Sequence, residues 1–419
     1  MAAPGSVEVS KFLSQPFSSP LPKKRIAIFI SADSFEHFFG GMFGIDREAY
    51  LRSYRNDYVW DYGRGLRDEG HEVFIYILSY GRPQLTEAED HLSVRFIPLP
   101  AWLRLVDAFL YRLRRLPGFN AFRERVRFAA YGRSLRQALD IDKIDVLYHQ
   151  EIWTPRFALI VQKIAIPVIG ADHGALAGQT ITRKQRQAFK KAAYVSCQSV
   201  EGLERARDAG GNAVLMCNGV DTSVFVPPAS NGLRLKQVLT VGRMVEAQKR
   251  FADLMRAMCF LPEFTLTIVG SGPDEEKLKH LPAELGIADR VHFAGFVSDR
   301  QQLCRLYQQC GSYVSSSAWE AAALVVLEAM SCGAPVVATR IPSFEDLVTD
   351  GENGLLVPVG QPEEIAKAIR RAYELREDLG REARATIVSR YSSKVLYKNL
   401  SDLVESVDSS SGARRAESA

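Results

Sequence analysis

Short apolar, β-branched runs alternate with stretches of helical spacing along most of the chain. The runs that predict strands in the first half are Arg25–Ile30, Glu72–Ile77, Val94–Pro98, Val146–Tyr148, Pro167–Gly170, Tyr194–Ser196 and Val214–Cys217. The second half starts afresh with Gln237–Thr240 and continues through Thr265–Val269, Arg290–Phe293, Ser312–Val314, Pro335–Ala338 and Leu355–Val357. Strands that alternate with helices predict parallel sheets covered by helices on both faces. Because the pattern runs twice, the expected architecture is α/β, with two Rossmann-like doubly wound domains facing across a cleft. The string Pro227-Pro228-Ala229-Ser230-Asn231-Gly232 breaks both helix and strand and marks the link between them. The expected division is a loose leader over 1–22, a first domain over 23–226, a second over 227–391 and a frayed tail over 408–419. The helical segment 392–407 follows the last strand of the second sheet and is expected to cross back to the first domain.

One stretch departs from this rhythm. Ala101 to Leu135 is rich in arginine and aromatic residues, with helical spacing on both sides of Pro117-Gly118. A helical hairpin with solvated arginines accounts for it. The alternative is a basic amphipathic face over 101–136 that meets anionic lipid or an anionic acceptor.

Composition narrows the classes. The 419 residues suffice for two cores. Lys and Arg total 53 against 49 Asp and Glu, a net charge of +4 that gives no case for a nucleic-acid partner. The six cysteines form no CxxC pair and read as reduced thiols of a cytoplasmic protein. The first residues lack the basic-then-apolar pattern of a signal peptide, and no window has the length of a membrane span. The expected location is the cytoplasm or the inner face of a membrane.

Ligands of open parallel sheets bind beyond the carboxyl ends of the strands, so candidate chemistry is sought in the strand-to-helix turns. Ser315 to Met330 reads as a strand end, a small polar loop and a helix beginning near Ala321. Glu320 stands at the helix start and Glu328 about two turns on, in an otherwise apolar helix. A carboxylate buried there needs a partner. Vicinal sugar hydroxyls suit Glu328, and a second ring's hydroxyls suit Glu320. N–H groups at the helix start, among Ala321, Ala322, Ala323 and Leu324, are suited to phosphate. Arg243 and Lys249 follow the first strand of the second domain, and two cations on one such loop fit a diphosphate. The Gly270-Ser271-Gly272 turn and the Gly40-Gly41 pair permit close backbone approach. His173, at a strand end before Gly174, suits a sugar hydroxyl or an incipient oxocarbenium. No plausible loop carries an Asp-x-Asp of the metal-chelating kind and no phosphate loop of the GxxxxGK[ST] form occurs.

The run from Gln237 to Ile369 resembles the donor-binding domain of the family 4 retaining glycosyltransferases, which have the GT-B fold. The resemblance is carried, in order, by VGRMVEAQKR, VGSGPDEEKL, LGIADRVHFAGFVSDRQQLCRLYQQC, SSSAWEAAALVVLEAMSCGAPVVAT and DGENGLLVPVGQPEEIAKAI. Asn218-Gly219-Val220-Asp221 with Phe225 and Pro227 is similar to the family's linker signature, and the match thins toward Arg25. It implies a nucleotide diphosphate sugar, most readily a UDP-hexose, as donor and co-substrate, a hydroxyl-bearing acceptor, and neither metal nor resident cofactor. Glu328 would hold the ribose, Glu320 the donor sugar, Arg243 and Lys249 the diphosphate, and the backbone at Phe296 and Val297 the base. His173 and Gly40-Gly41 would approach the sugar from the first domain. Retention would come from same-face attack, the leaving phosphate helping to remove the acceptor proton. Two departures stand out: Ala321-Ala322-Ala323 where the family has a glycine-rich turn, and Lys249-Arg250 where it has Lys-Gly. Phe38 to Tyr62 is also longer and more aromatic than the family's loop and is read as acceptor recognition. A GT-B epimerase or phosphorylase and a catalytically degenerate partner protein are the alternatives.

Overall fold

The computed structural model describes residues 23–407 except 31, 42, 43, 53, 55–57, 113–118, 173–179, 230–233, 321 and 322. Fourteen strands form two sheets among the described residues. The first holds β1 (Arg25–Phe29), β2 (Glu72–Ser79), β3 (Gln84–Glu89), β4 (Leu92–Pro98), β5 (Val146–Gln150), β6 (Val168–Ala171), β7 (Tyr194–Cys197) and β8 (Ala213–Leu215), in the order β3-β4-β2-β1-β5-β6-β7-β8. The second holds β9 (Leu235–Val241), β10 (Thr265–Val269), β11 (Val291–Gly295), β12 (Cys310–Ser315), β13 (Val336–Thr339) and β14 (Leu355–Val357), in the order β11-β10-β9-β12-β13-β14.

The second sheet is parallel throughout. The first is not. β3 pairs antiparallel with β4 at the edge, a hairpin turned through His91 at φ 56°. Its residues, QLTEAE, are half-exposed or exposed, so the strand lacks the apolar run that reveals a buried one. The expectation of purely parallel sheets is corrected on this point.

Each sheet is packed on both faces. In β9, Val238 faces one core and Leu239 the other; in β12, Tyr313 and Val314 do the same. This period-two alternation, with both faces apolar, is what makes the strands continuous apolar runs in the sequence. The terminal helix Ser393–Ser406 does leave the second sheet. It buries Leu396, Leu400, Leu403 and Val404 in the core of the first. Its start is capped by Ser392 Oγ, which accepts from the Val395 N–H at 3.4 Å. Tyr397 lies so close to Gly65 that a Cβ there would stand 2.1 Å from its ring.

The aromatic stretch Phe38–Tyr62 is largely spent on packing. Phe39, Tyr50 and Trp60 are buried, with Phe39 and Tyr50 ring centroids 4.6 Å apart and Tyr50 and Trp60 5.5 Å apart. Ala101–Arg112 and Phe119–Ile141 are the helices expected around Pro117-Gly118. Their arginines divide. Arg104, Arg125, Arg133 and Arg136 are exposed, whereas Arg123 and Arg127 are buried with Arg156 in a network with Asp33, Asp107 and Glu124. Charges removed from water in this way are tolerated only when paired, and three cations meet three carboxylates here.

Candidate functional site

The strand order of the second sheet reverses between β9 and β12, and beyond the carboxyl ends of the strands at such a switch point lies the crevice where open α/β sheets bind their ligands. Two loops line it. The loop after β9 runs through Gly242 to the short helix Glu246–Lys249; the loop after β12 runs from Ser316 to Glu320. They are tied backbone to backbone by the Ala318 N–H, which donates to Gln248 O at 2.7 Å. Ser316 Oγ donates to the Lys249 carbonyl at 2.9 Å.

These ties set Lys249 against Glu320. Nζ donates to Oε1 at 2.6 Å, with 15% and 6% of the side chains exposed. Ser317 Oγ donates to the same oxygen at 2.5 Å. A pair this shielded from water is far stronger than a surface ion pair. The Lys249 stem lies over Gly242, where a Cβ would stand 3.2 Å from its Cε. Next along is Arg243, exposed and without a hydrogen bond or ion pair among the described residues.

The helix carrying Glu328 begins at Leu324, not near Ala321. Glu320 therefore lies in the loop before the helix. Ala321 and Ala322 fall outside the described residues. Ala323 takes the cap position, and the Leu324 and Val325 N–H groups open the first turn. Tyr307 donates to Glu328 Oε2 at 3.0 Å. Burial pushes the Glu328 carboxyl up to about 7, against the pull of the Tyr307 hydrogen bond and the Arg300 charge. Tyr313, on β12, lies near enough to feel both acids: burial, then the Glu320 charge, then the Glu328 charge push its phenol up.

A raised Glu328 has opposite consequences for folding and for binding. The folded state keeps a proton that the unfolded chain sheds near 4.5, so this group's stabilisation is present below that pH and is lost as pH rises toward about 7. Its carboxylate, the form that accepts two diol hydroxyls, grows over the same window. Donor affinity is expected to rise with pH up to about 7, as titration calorimetry from pH 5.5 to 8 would read. Glu328→Gln should flatten that profile, and an equally steep profile in the variant would refute the assignment.

The remaining candidates fall differently. Gly270 and Gly272 are needed by the protein itself. A Cβ on Gly270, whose φ is 134°, would stand 1.9 Å from Gly242 O, and one on Gly272 2.4 Å from Met244 O. They let the turn after β10 lie against the loop after β9, a loop-against-loop contact that by itself requires glycine at both positions. Gly40 and Gly41, in and just after the π-helical turn Glu36–Gly40, would each accept a Cβ in ordinary contact, 3.9 Å from Ile45 O and 3.5 Å from Glu36 O, so local packing does not demand glycine at either. Phe296 is 74% exposed just past β11, and Val297 packs on the core. Arg250, the residue after Lys249, is left-handed at φ 51° and donates to Asp253 Oδ2 at 2.5 Å. That conformation suits glycine, the residue the family has there. His173 lies outside the described residues. The sequence reading missed Ser317, Gln248, Tyr307, Tyr313 and Arg300. Ser317 carries a local signal, three residues before Glu320; the others reach the acids only through long-range folding.

Known proteins place this arrangement. Residues 56–224 match the family model described as Glycosyltransferase Family 4, and residues 224–386 the model described as Glycosyl transferases group 1. The chain is 29% identical over 364 residues to the phosphatidyl-myo-inositol mannosyltransferase of Mycobacterium leprae, covering 82% of this chain and 91% of that protein. It is 34% identical over 162 residues to the lipopolysaccharide core biosynthesis glycosyltransferase LpsE of Rhizobium meliloti, covering 38% of this chain and only 46% of LpsE. Among solved structures, sucrose-phosphate synthase from Thermosynechococcus elongatus superposes with a TM-score of 0.65 at 19% identity, covering 91% of this chain and 98% of that one. HepE of Anabaena in complex with UDP gives 0.66 at 16% identity, covering 91% and 100%.

Proposed function

The chain belongs to the family 4 glycosyltransferases of GT-B fold, and from that premise we propose that it moves a hexose from a UDP-sugar to a hydroxyl acceptor with retention, using no metal. The observation that carries the reading is the buried Lys249–Glu320 pair at the switch-point crevice, with Glu328 behind it. A sugar–diphosphate supplies both missing partners at once. Its phosphate draws Lys249 and Arg243, and its sugar hydroxyls donate to the released Glu320. As the diphosphate departs it gains charge, which Lys249 and Arg243 stabilise more than they stabilise the bound donor. Glu328, as carboxylate, receives the ribose diol. Retention follows when the acceptor attacks the face the phosphate leaves and passes its proton to that phosphate.

The choice of UDP is supported by HepE, solved with UDP and with UDP-glucose. Named relatives act on phosphatidyl-myo-inositol or in lipopolysaccharide core synthesis, which favours an acceptor at or near a membrane. No helix among the described residues is long and apolar enough to cross one. The exposed Trp102, Leu105 and Phe122, beside Arg104 and Arg125, favour peripheral contact with anionic lipid on the cytoplasmic side. The direct test is an assay of nucleotide diphosphate release from UDP-, GDP- and ADP-sugars, with the product's anomeric configuration read by NMR. Release from the UDP-sugar, an unchanged anomer and full activity in excess EDTA are expected. An inverted product, or loss of activity in EDTA, would overturn the respective part.

A further inference from the structure

The first sheet has its own switch point, between β1 and β5, where the chain turns from building toward β4 to building toward β8. Three observations meet at the carboxyl end of β5. Gln150, its last residue, is fully buried, and neither Nε2 nor Oε1 has a hydrogen-bond partner among the described residues. A primary amide offers two donors and two acceptor sites, and one left idle in the interior points to a missing ligand or water. Glu151 follows with φ at 73°, in the left-handed region that a residue with a Cβ seldom occupies. It is held there by its N–H, which donates to Ala171 O at 3.0 Å, and by its carbonyl, which accepts from Thr154 Oγ1 at 3.2 Å. Strain of this kind clusters at functional sites. Finally, the Glu151 carboxylate is half-buried with no hydrogen bond or ion pair among the described residues, and burial pushes its pKa up.

The charge around it sharpens the reading. The arginines buried near this end of the sheet are already matched: Arg123 and Arg127 bind Asp107, Arg123 and Arg156 bind Asp33, and Arg156 binds Glu124. Among the described residues those three arginines face three carboxylates, and no cation stands beside Glu151 to answer its charge. Such a site attracts hydroxyl donors and repels phosphate.

We propose that Gln150 and Glu151 form a subsite for a neutral polyol, with the carboxylate accepting from two vicinal hydroxyls and the amide binding a third. The inference rests on the glycosyltransferase reading, in which the polyol is the part of the acceptor that enters the first domain. It names a substrate class: an unphosphorylated sugar ring or cyclitol at this position.

The test uses the full chain with UDP present and ligand-observed NMR. The probes are methyl α-D-glucopyranoside and myo-inositol, against myo-inositol 1-phosphate. At least one neutral probe should bind the wild type. Glu151→Gln should weaken that binding by about 10-fold or more, the loss of a charge-assisted hydrogen bond, with UDP affinity unchanged. Glu151→Gly keeps the left-handed backbone without strain. It should lose the polyol equally while melting no lower than the wild type, which separates recognition from folding. Equal polyol binding in the variants, no binding of either neutral probe, or preference for the phosphorylated one would overturn the subsite. Failure of the wild type to bind UDP or GDP would instead strike the glycosyltransferase reading itself.

Discussion

Replacing Lys249 with alanine is expected to lower turnover about 100-fold, the range seen when one preorganised group facing a developing negative charge is removed. The partly buried ammonium lies over Gly242 and touches Glu320 at 2.6 Å, so exchanging that carboxylate for a phosphate moves only the end of a stem the loop already holds at the crevice. Glu320→Gln should cost about 10-fold or more, because an amide still fills the space and can still take the Ser317 hydrogen bond but lacks the charge that answers Lys249 and the sugar hydroxyls. Initial rates at saturating donor, with circular dichroism as the check on folding, measure both. Near-wild-type turnover in both folded variants would remove the pair from the mechanism.

Gly270→Ala is expected to be the most damaging single methyl in the donor lobe. The new Cβ would meet a backbone carbonyl, Gly242 O, at 1.9 Å, which no side-chain rotation can relieve. The residue also occupies φ 134°, where an L side chain is strained whatever the space. The two effects together cost on the order of 3 kcal/mol or more. In a lobe of this size that is a fall of roughly 6–12 °C in apparent melting temperature. Separating the loops after β9 and β10 would also displace Lys249, so donor affinity should fall alongside stability. A thermal shift scan with and without UDP reads both. An alanine variant that melts with the wild type would mean the turn packs otherwise.

Strands packed between two helical layers were the most legible elements, because their apolar runs are continuous. Thr265–Val269 and Leu355–Val357 carry the observed bounds in their apolar runs alone, and Glu320 and Glu328 stand out as charges in an apolar setting. β3 gave no such signal, since an edge strand with half its surface in water is held by pairing with β4. The glycine turn shows what spacing leaves open: Gly270 and Gly272 are demanded by loop-on-loop contact, which the sequence does not distinguish from ligand contact. Arg250 shows another limit: its left-handed backbone and the Asp253 carboxylate that pairs with its Nε appear only in the fold. Tyr307 and Tyr313 were invisible because nothing local ties a tyrosine on one element to a carboxylate on another. The buried network of Arg123, Arg127 and Arg156 likewise appears only once Ala32 and Asp33, beyond β1, are folded against it.

The cation and the acid at the crevice satisfy one another; in the proposed function a sugar–diphosphate separates them and gives each a new partner. The sharpest test is the ratio of affinities for UDP and UMP, measured by calorimetry in the wild type and in Lys249→Ala, with GDP and GMP in parallel. The expected result is diphosphate preferred by about 10-fold or more in the wild type and a preference reduced several-fold in the variant, with Arg243 holding what remains. A diphosphate preference undiminished by the loss of Lys249 would contradict the assignment.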